Sequence, residues 1–135
     1  MYLFKTSGET FKSVIKNQKH AFRGQPTDWH QGEIVLVSKN LCDLGRNEKQ
    51  ISYIMKIERF RPLSNAECEE YWPGNYGRWN WIVDCFETTE IVKPFNLNVV
   101  IGAEAARKFN SVMTFRKLER ESEEKVLAYI QNKQR

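Results

Sequence analysis

The chain is poor in the residues that build metal and disulfide chemistry. Its three cysteines, Cys42, Cys68 and Cys85, lie far apart and show no C-x-x-C spacing. Neither a disulfide framework nor a zinc knuckle is expected, and all three read as reduced thiols. The two histidines, His20 and His30, have no ligating partner three or four residues away, so no metal centre is expected. A Cys–His nucleophile pair such as Cys42 with His30 would have to form in space, and a buried thiol with a surface imidazole is the plainer reading. The hydrolase, phosphate-loop, dinucleotide, metalloprotease and zinc-deaminase signatures are all missing, and nothing calls for a cofactor. Apolar runs such as Ile34 to Val37 and Val99 to Ile101 fall far short of the roughly 20 residues that span a bilayer. No membrane anchor is expected, and the opening residues lack the basic and apolar regions of a secretion signal, so the expected setting is cytoplasmic.

Two things are present in excess. Aromatic residues make up 13% of the chain, with four Trp, five Tyr and eight Phe, more than a small core obviously needs. Basic residues outnumber acidic ones by 21 − 17 = 4, and the imbalance is local. The segment from Lys5 to Arg23 holds Lys5, Lys12, Lys16, Lys19 and Arg23 against Glu9 alone. A basic stretch of this kind fits a polyanion partner or a solvated helix face. With 41% hydrophobic residues in 135, the composition predicts one folded domain over 1–135.

Periodicity predicts an α+β domain. Tyr2 to Lys5 reads as a strand, and Thr6 to Glu9 as the polar cap of a short basic helix carrying Phe11, Val14 and Ile15. Lys19 to Gln31 has no usable period and reads as a loop that nevertheless carries Phe22 and Trp29. Ile34 to Asn40 is a β-branched run, and Ile51, Tyr53, Met55 and Ile57 alternate with polar residues, so the two predict a hairpin. Ser64 to Glu67 is a capping signature for a helix reaching Tyr71. The turn-rich, aromatic stretch from Trp72 to Trp79 reads as an exposed turn carrying Trp72, and it leads into a strand ending near Phe86, on which Trp81 alternates inward with Val83 and Cys85. Phe95 to Ile101 reads as irregular, Glu104 to Phe109 as helical turns, Val112 to Leu118 as a strand and Ser122 to Gln131 as an amphipathic helix. The expected fold is a mostly antiparallel, barrel-like sheet of five or six strands flanked by short helices.

Aromatic side chains beside cations, on loops, suit an unpaired nucleotide, because bases stack on ring faces and Lys or Arg neutralises phosphate. The expected slot lies between Phe22 and Trp72, with Trp29 and Tyr76 near it and Ser7 and Asn40 offered to the polar edge of the base. Ser7 also reads as a helix cap and Asn40 as a turn residue. Lys5, Lys12, Lys16, Lys19, Arg23 and Arg78 are the expected contacts to the nucleic-acid backbone, the first helix placing Lys12, Lys16 and Lys19 on one face. Glu33 and Glu58 read as solvated acids at strand ends.

Several segments, in this order, resemble the PUA-like superfamily and its EVE and YTH branch. Phe4-Lys-Thr-Ser-Gly-Glu9 is similar to the first strand end and helix of YTH domains, and Ile34-Val-Leu-Val-Ser-Lys-Asn40 to a strand ending in Ser-x-Asn. Trp72-Pro-Gly-Asn-Tyr76 resembles a loop bearing a cage tryptophan, and Trp81-Ile-Val the strand beyond it. Phe22 stands near the place of another cage tryptophan. The resemblance implies a PUA-like barrel that reads a methylated or hydroxymethylated base in DNA or RNA, without catalysis. The related ASCH branch implies an alternative, a small nucleoside amidohydrolase using a Lys, a Thr and a Glu. Lys19 and His20 precede Arg23, but no Thr lies at the expected distance. A protein-interaction module is the third reading, since fold alone does not choose among them.

Overall fold

The computed structural model describes residues 1–6, 8–25, 27–40, 49–75, 77–110 and 117–133. In chain order the elements are β1 (Tyr2–Thr6), α1 (Gly8–Asn17), β2 (Lys19–Phe22), β3 (Ile34–Asn40), β4 (Lys49–Pro62), α2 (Asn65–Tyr71), β5 (Trp81–Asn96), α3 (Leu97–Ile101), α4 (Ala103–Asn110) and α5 (Arg120–Lys133). The strands form one five-stranded sheet in the order β1-β3-β4-β5-β2.

The hairpin expected from Ile34 to Ile57 is present as the antiparallel pair β3–β4. The strand beginning at Trp81, expected to end near Phe86, runs to Asn96 and pairs antiparallel with β4; of the stretch expected to be irregular it takes Phe95 and Asn96, and Leu97–Ile101 is α3. Register shifts after Ile51, Ile54 and Ile57 bend this long pair. Two features of the expected sheet need correction. It is mixed, because β1 lies parallel to β3, reached by a crossover through α1 and β2. It is also open, since β1 and β2 stand at opposite edges with no ladder between them among the described residues. The edges still converge through side chains. Phe4 of β1 lies 4.8 Å from His20 and 5.3 Å from Phe22 of β2, measured between ring centres, and α1 packs on β1, β2 and β3. Aromatic contacts take the place that hydrogen bonds hold in a closed barrel.

Strand alternation sorts the core onto two faces. On one face Tyr2, Phe4, Val35, Val37, Met55, Ile57, Val83 and Cys85 pack with Val14 of α1. On the other, Leu3, Leu36 and Ile51 meet α3, α4 and α5 through Leu97, Ile101, Ala106 and Val126. Toward the β2 edge, the cluster of Ala21, Ile82 and Trp72 brings in α2. That helix begins where its capping signature places it: the Ser64 hydroxyl accepts from the Glu67 N–H at 3.2 Å. The expected strand from Val112 lies mostly outside the described residues, and Lys117 at its end makes a single bridge to Tyr2.

The turn after α2 was expected to carry Trp72 exposed, yet Trp72 is only 3% exposed. Its ring sits edge-on between Tyr71 and Trp79, with centres 5.8 and 5.6 Å away. Removing a buried Trp leaves a cavity worth about 3–5 kcal/mol. Trp72→Ala is therefore expected to lower the unfolding free energy in urea by about that amount, whereas a loss well under ~1 kcal/mol would contradict the burial.

Candidate nucleic-acid interface

The β2–β5 pair sets the geometry of the candidate residues. Lys19, His20, Ala21 and Phe22 stand opposite Asp84, Val83, Ile82 and Trp81. Successive side chains point to opposite faces, so His20 and Phe22 share a face with Val83, and Lys19 and Ala21 share the other with Ile82 and Asp84.

This alternation separates the two rings expected to form a slot. Phe22 belongs to a ladder in which its ring lies 4.7 Å from His20 and 6.0 Å from Phe60, with Trp29 5.2 Å beyond Phe60. Trp72 packs with Ala21 and Ile82 through the sheet. Phe22 and Trp72 thus face away from each other, and no slot forms between them. Trp29 joins Phe22 on one face, beside a loop that the Tyr2 hydroxyl holds by donating to the Asp28 carbonyl. Ser7 and Tyr76 lie outside the described residues. The backbone of Asn40 pairs with Lys49 and that of Lys5 with Ser38, but their side chains lie outside the described ones.

The cations also divide. Lys12 and Lys16 are exposed on α1, but the helix ends at Asn17 and Gln18 turns the chain with φ 55°. Lys19 therefore belongs to β2 and does not continue their face. Its ammonium lies 2.6 Å from Asp84 Oδ1 and 5.6 Å from the Tyr71 ring centre. Glu58 lies within β4 and not at a strand end. Glu33, expected to be solvated, is mostly buried between the Met1 ammonium at 3.4 Å and Lys117 at 3.3 Å.

Arg23 and Arg78 come together on the rim. Arg23 Nε donates to the Arg78 carbonyl at 3.2 Å, and the Asn80 side chain donates to the Arg23 carbonyl at 3.4 Å. The Asn80 N–H also donates to Phe22 O at 3.0 Å. Positive φ at Gly74 and Gly77, 83° and 78°, lets the turn double back. Arg78 donates to Asn75 Oδ1 at 3.0 Å and lies 4.7 Å over the partly exposed Trp79 ring. Both arginines are exposed, and no carboxylate pairs with either among the described residues. The result is a partly exposed ring with one arginine over it and a second close by, neither paired with a carboxylate among the described residues.

Sequence reasoning missed Asp84, which is 4% exposed. Arg61 binds it through Nε at 2.7 Å and a second nitrogen at 3.1 Å, and Arg59 Nε binds it at 3.0 Å. Arg61 also reaches Glu67 of α2 at 2.5 Å. The available signal was a lone acid within the apolar run Trp81-Ile-Val-Asp-Cys-Phe, matched by the alternating pair Arg59 and Arg61. Burial would push the Asp84 carboxyl up, but hydrogen bonds from Arg61, Lys19 and Arg59 hold it well below the usual carboxylate range. Burial pushes its neighbour, the Cys85 thiol, up to about 12, so that thiol is not a nucleophile at neutral pH.

No family model and no curated protein matches this chain. Solved structures do. The chain is similar to an ASCH protein from Zymomonas mobilis with TM-score 0.63 and 14% identity, over 94% of this chain and 93% of that one. It is also similar to the DUF55 domain of human thymocyte nuclear protein 1, with TM-score 0.57 and 15% identity over 96% and 97% of the two chains. The human THYN1 protein in complex with 5-methylcytosine-containing DNA gives TM-score 0.54 and 15% identity, over 96% of each chain. These likenesses show that this chain shares its fold with those proteins, and they do not single out the EVE or YTH branch.

The depressed Asp84 carboxyl makes stability depend on acid. An unfolded Asp binds its proton near pH ~3.9, while the folded group stays ionised to lower pH. The unfolded state then binds the proton first, so the contribution is present above pH ~4 and is lost as the pH falls toward the folded value. Urea midpoints measured between pH 7 and 2.5 are expected to fall most steeply below pH ~4. Asp84→Asn should flatten that decline and lower stability at pH 7, because it leaves Lys19, Arg59 and Arg61 without their shared counter-charge. An unchanged acid profile in that variant would refute the assignment.

Proposed function

We propose that this chain is a nucleic-acid-binding module that accepts an unpaired or flipped modified base, such as 5-methylcytosine, at the rim made by Arg23, Arg78 and Trp79. The observation that carries this reading is the exposed Arg78 guanidinium held over the Trp79 ring beside Arg23, neither of them paired with a carboxylate among the described residues. A base stacks on such a face, and the cations meet the phosphates beside it. The stacking role expected for Trp72 passes to Trp79. Lys12 and Lys16, one helical turn apart on the exposed side of α1, add further exposed positive charge. The architecture shared with human THYN1, whose structure was determined with 5-methylcytosine-containing DNA, supports DNA as the partner.

The architecture shared with the ASCH protein keeps an amidohydrolase as a second reading, with less support. That chemistry needs Lys19 to act beside a hydroxyl. Here Lys19 is held at 2.6 Å by a carboxylate and roofed by Tyr71.

Titration of short single-stranded DNA, with and without 5-methylcytosine, tests the binding reading. Trp79→Ala is expected to weaken binding about tenfold or more, the scale of one lost base stack. Arg78→Ala should reduce the slope of log K against log salt by about one unit without changing base preference. Unaltered affinity in a folded Trp79→Ala protein would remove the rim from the site.

A further inference from the structure

The Asp84 cluster contains a cation that the fold orients but does not use up. Asp84 accepts four hydrogen bonds, one from Lys19, two from Arg61 and one from Arg59. Lys19 and Arg61 are three-quarters or more buried, and Arg61 is further engaged by Glu67. Arg59 differs, for its side chain is 63% exposed and its described ion pair is made through Nε alone. A guanidinium held by Nε keeps its outer pair of nitrogens free, and that edge matches two oxygens of a phosphate. Lys19, Arg59 and Arg61 carry three positive charges against two negative ones on Asp84 and Glu67, so the cluster retains positive charge after its internal pairing. Asp84, opposite both Lys19 and Arg59, lies three residues along β5 from Trp81, which pairs with Phe22. At the rise of a strand this places the cluster about 10 Å from the Phe22 end of β2, one residue short of Arg23, a span of about three to four nucleotides of one strand.

We propose that Arg59, aimed by the buried Asp84 carboxylate, is a phosphate-binding residue that grips a second phosphate of a strand whose base lies at the Trp79 rim. Asp84 is its positioning residue. The assignment to a strand rests on the nucleic-acid reading above; the phosphate chemistry of Arg59 does not. Free phosphate and a backbone phosphate offer the same oxygens, and the test separates them.

Arg59→Ala leaves Asp84 with the Lys19 and Arg61 bonds, so the variant is expected to fold with an unchanged circular dichroism spectrum. Its affinity for single-stranded DNA at low salt should fall several-fold, and its salt slope should drop by about 0.7 to one unit, with the preference for 5-methylcytosine unchanged. Arg59→Lys should restore the slope but not the full affinity, because an ammonium lacks the fork. In ¹⁵N-labelled wild-type protein, the Arg59 Nε–Hε signal should move on adding the oligonucleotide, and inorganic phosphate should compete. A signal that moves with inorganic phosphate, in a protein that binds no oligonucleotide, would uphold the phosphate site and overturn the nucleic-acid reading. Oligonucleotide binding with an unchanged slope in Arg59→Ala and an unmoved Arg59 signal would overturn the present proposal and leave that reading standing.

Discussion

A carboxylate taken out of water must find positive charge, and in this protein that requirement ties together the half of the sheet where the candidate site lies. Asp84 is buried on β5, and the cations that satisfy it come from β2 and β4. Through Arg61 and Glu67 the same network reaches α2, and α2 supplies the Tyr71 that covers Lys19 and leads into Trp72. A buried pair of this kind is weak evidence for net stability, since well-packed apolar groups often do as well. Its effect is on arrangement: a register slip of one residue would turn Asp84 to the apolar face that Val83 and Cys85 now hold and take it away from Lys19, Arg59 and Arg61.

The two faces of the β2–β5 pair have different partners, and the candidate function follows from that division. The face holding Phe22 is an apolar interior closed by rings from both sheet edges and roofed by α1. The opposite face is ionic at Asp84 and aromatic at Trp72. Where the faces meet, at the end of the sheet, the Arg78 carbonyl accepts from Arg23 Nε and the Arg23 carbonyl from the Asn80 side chain, and neither arginine pairs with a carboxylate among the described residues. The rim therefore keeps exposed positive charge with no carboxylate partner among the described residues, which suits a polyanion.

How much was legible in the sequence depended on whether a property is carried by near neighbours. The capped start of α2, the hairpin of β3 with β4 and the strand opening at Trp81 come from short-range pattern, and all are present. Lys19 to Phe22 looked like loop because four residues are too few to show a period, and β5 fixes them as an edge strand. Lys12, Lys16 and Lys19 looked like one helical face because spacing does not record that Gln18 ends the helix with a positive φ. Trp72 looked exposed beside Pro73 and Gly74, but the turn they make folds its ring inward onto Ala21 and Ile82.

The sequence by itself determined the material of the site: an aromatic and basic chain, α+β in pattern, with Arg78 next to Trp79 and Arg23 next to Phe22. Those adjacencies are covalent and hold in any fold. Only the tertiary structure decided which ring faces solvent and which cation is free, because both depend on contacts between residues far apart in the chain. Phe22 and Trp72 fall on opposite faces through the pairing of β2 with β5, and Lys19 is consumed by Asp84, 65 residues away. Arg59 stays available because its one described ion pair uses a single nitrogen. A two-residue alternation along a strand says that side chains part to two faces, but only packing says which face is the interior.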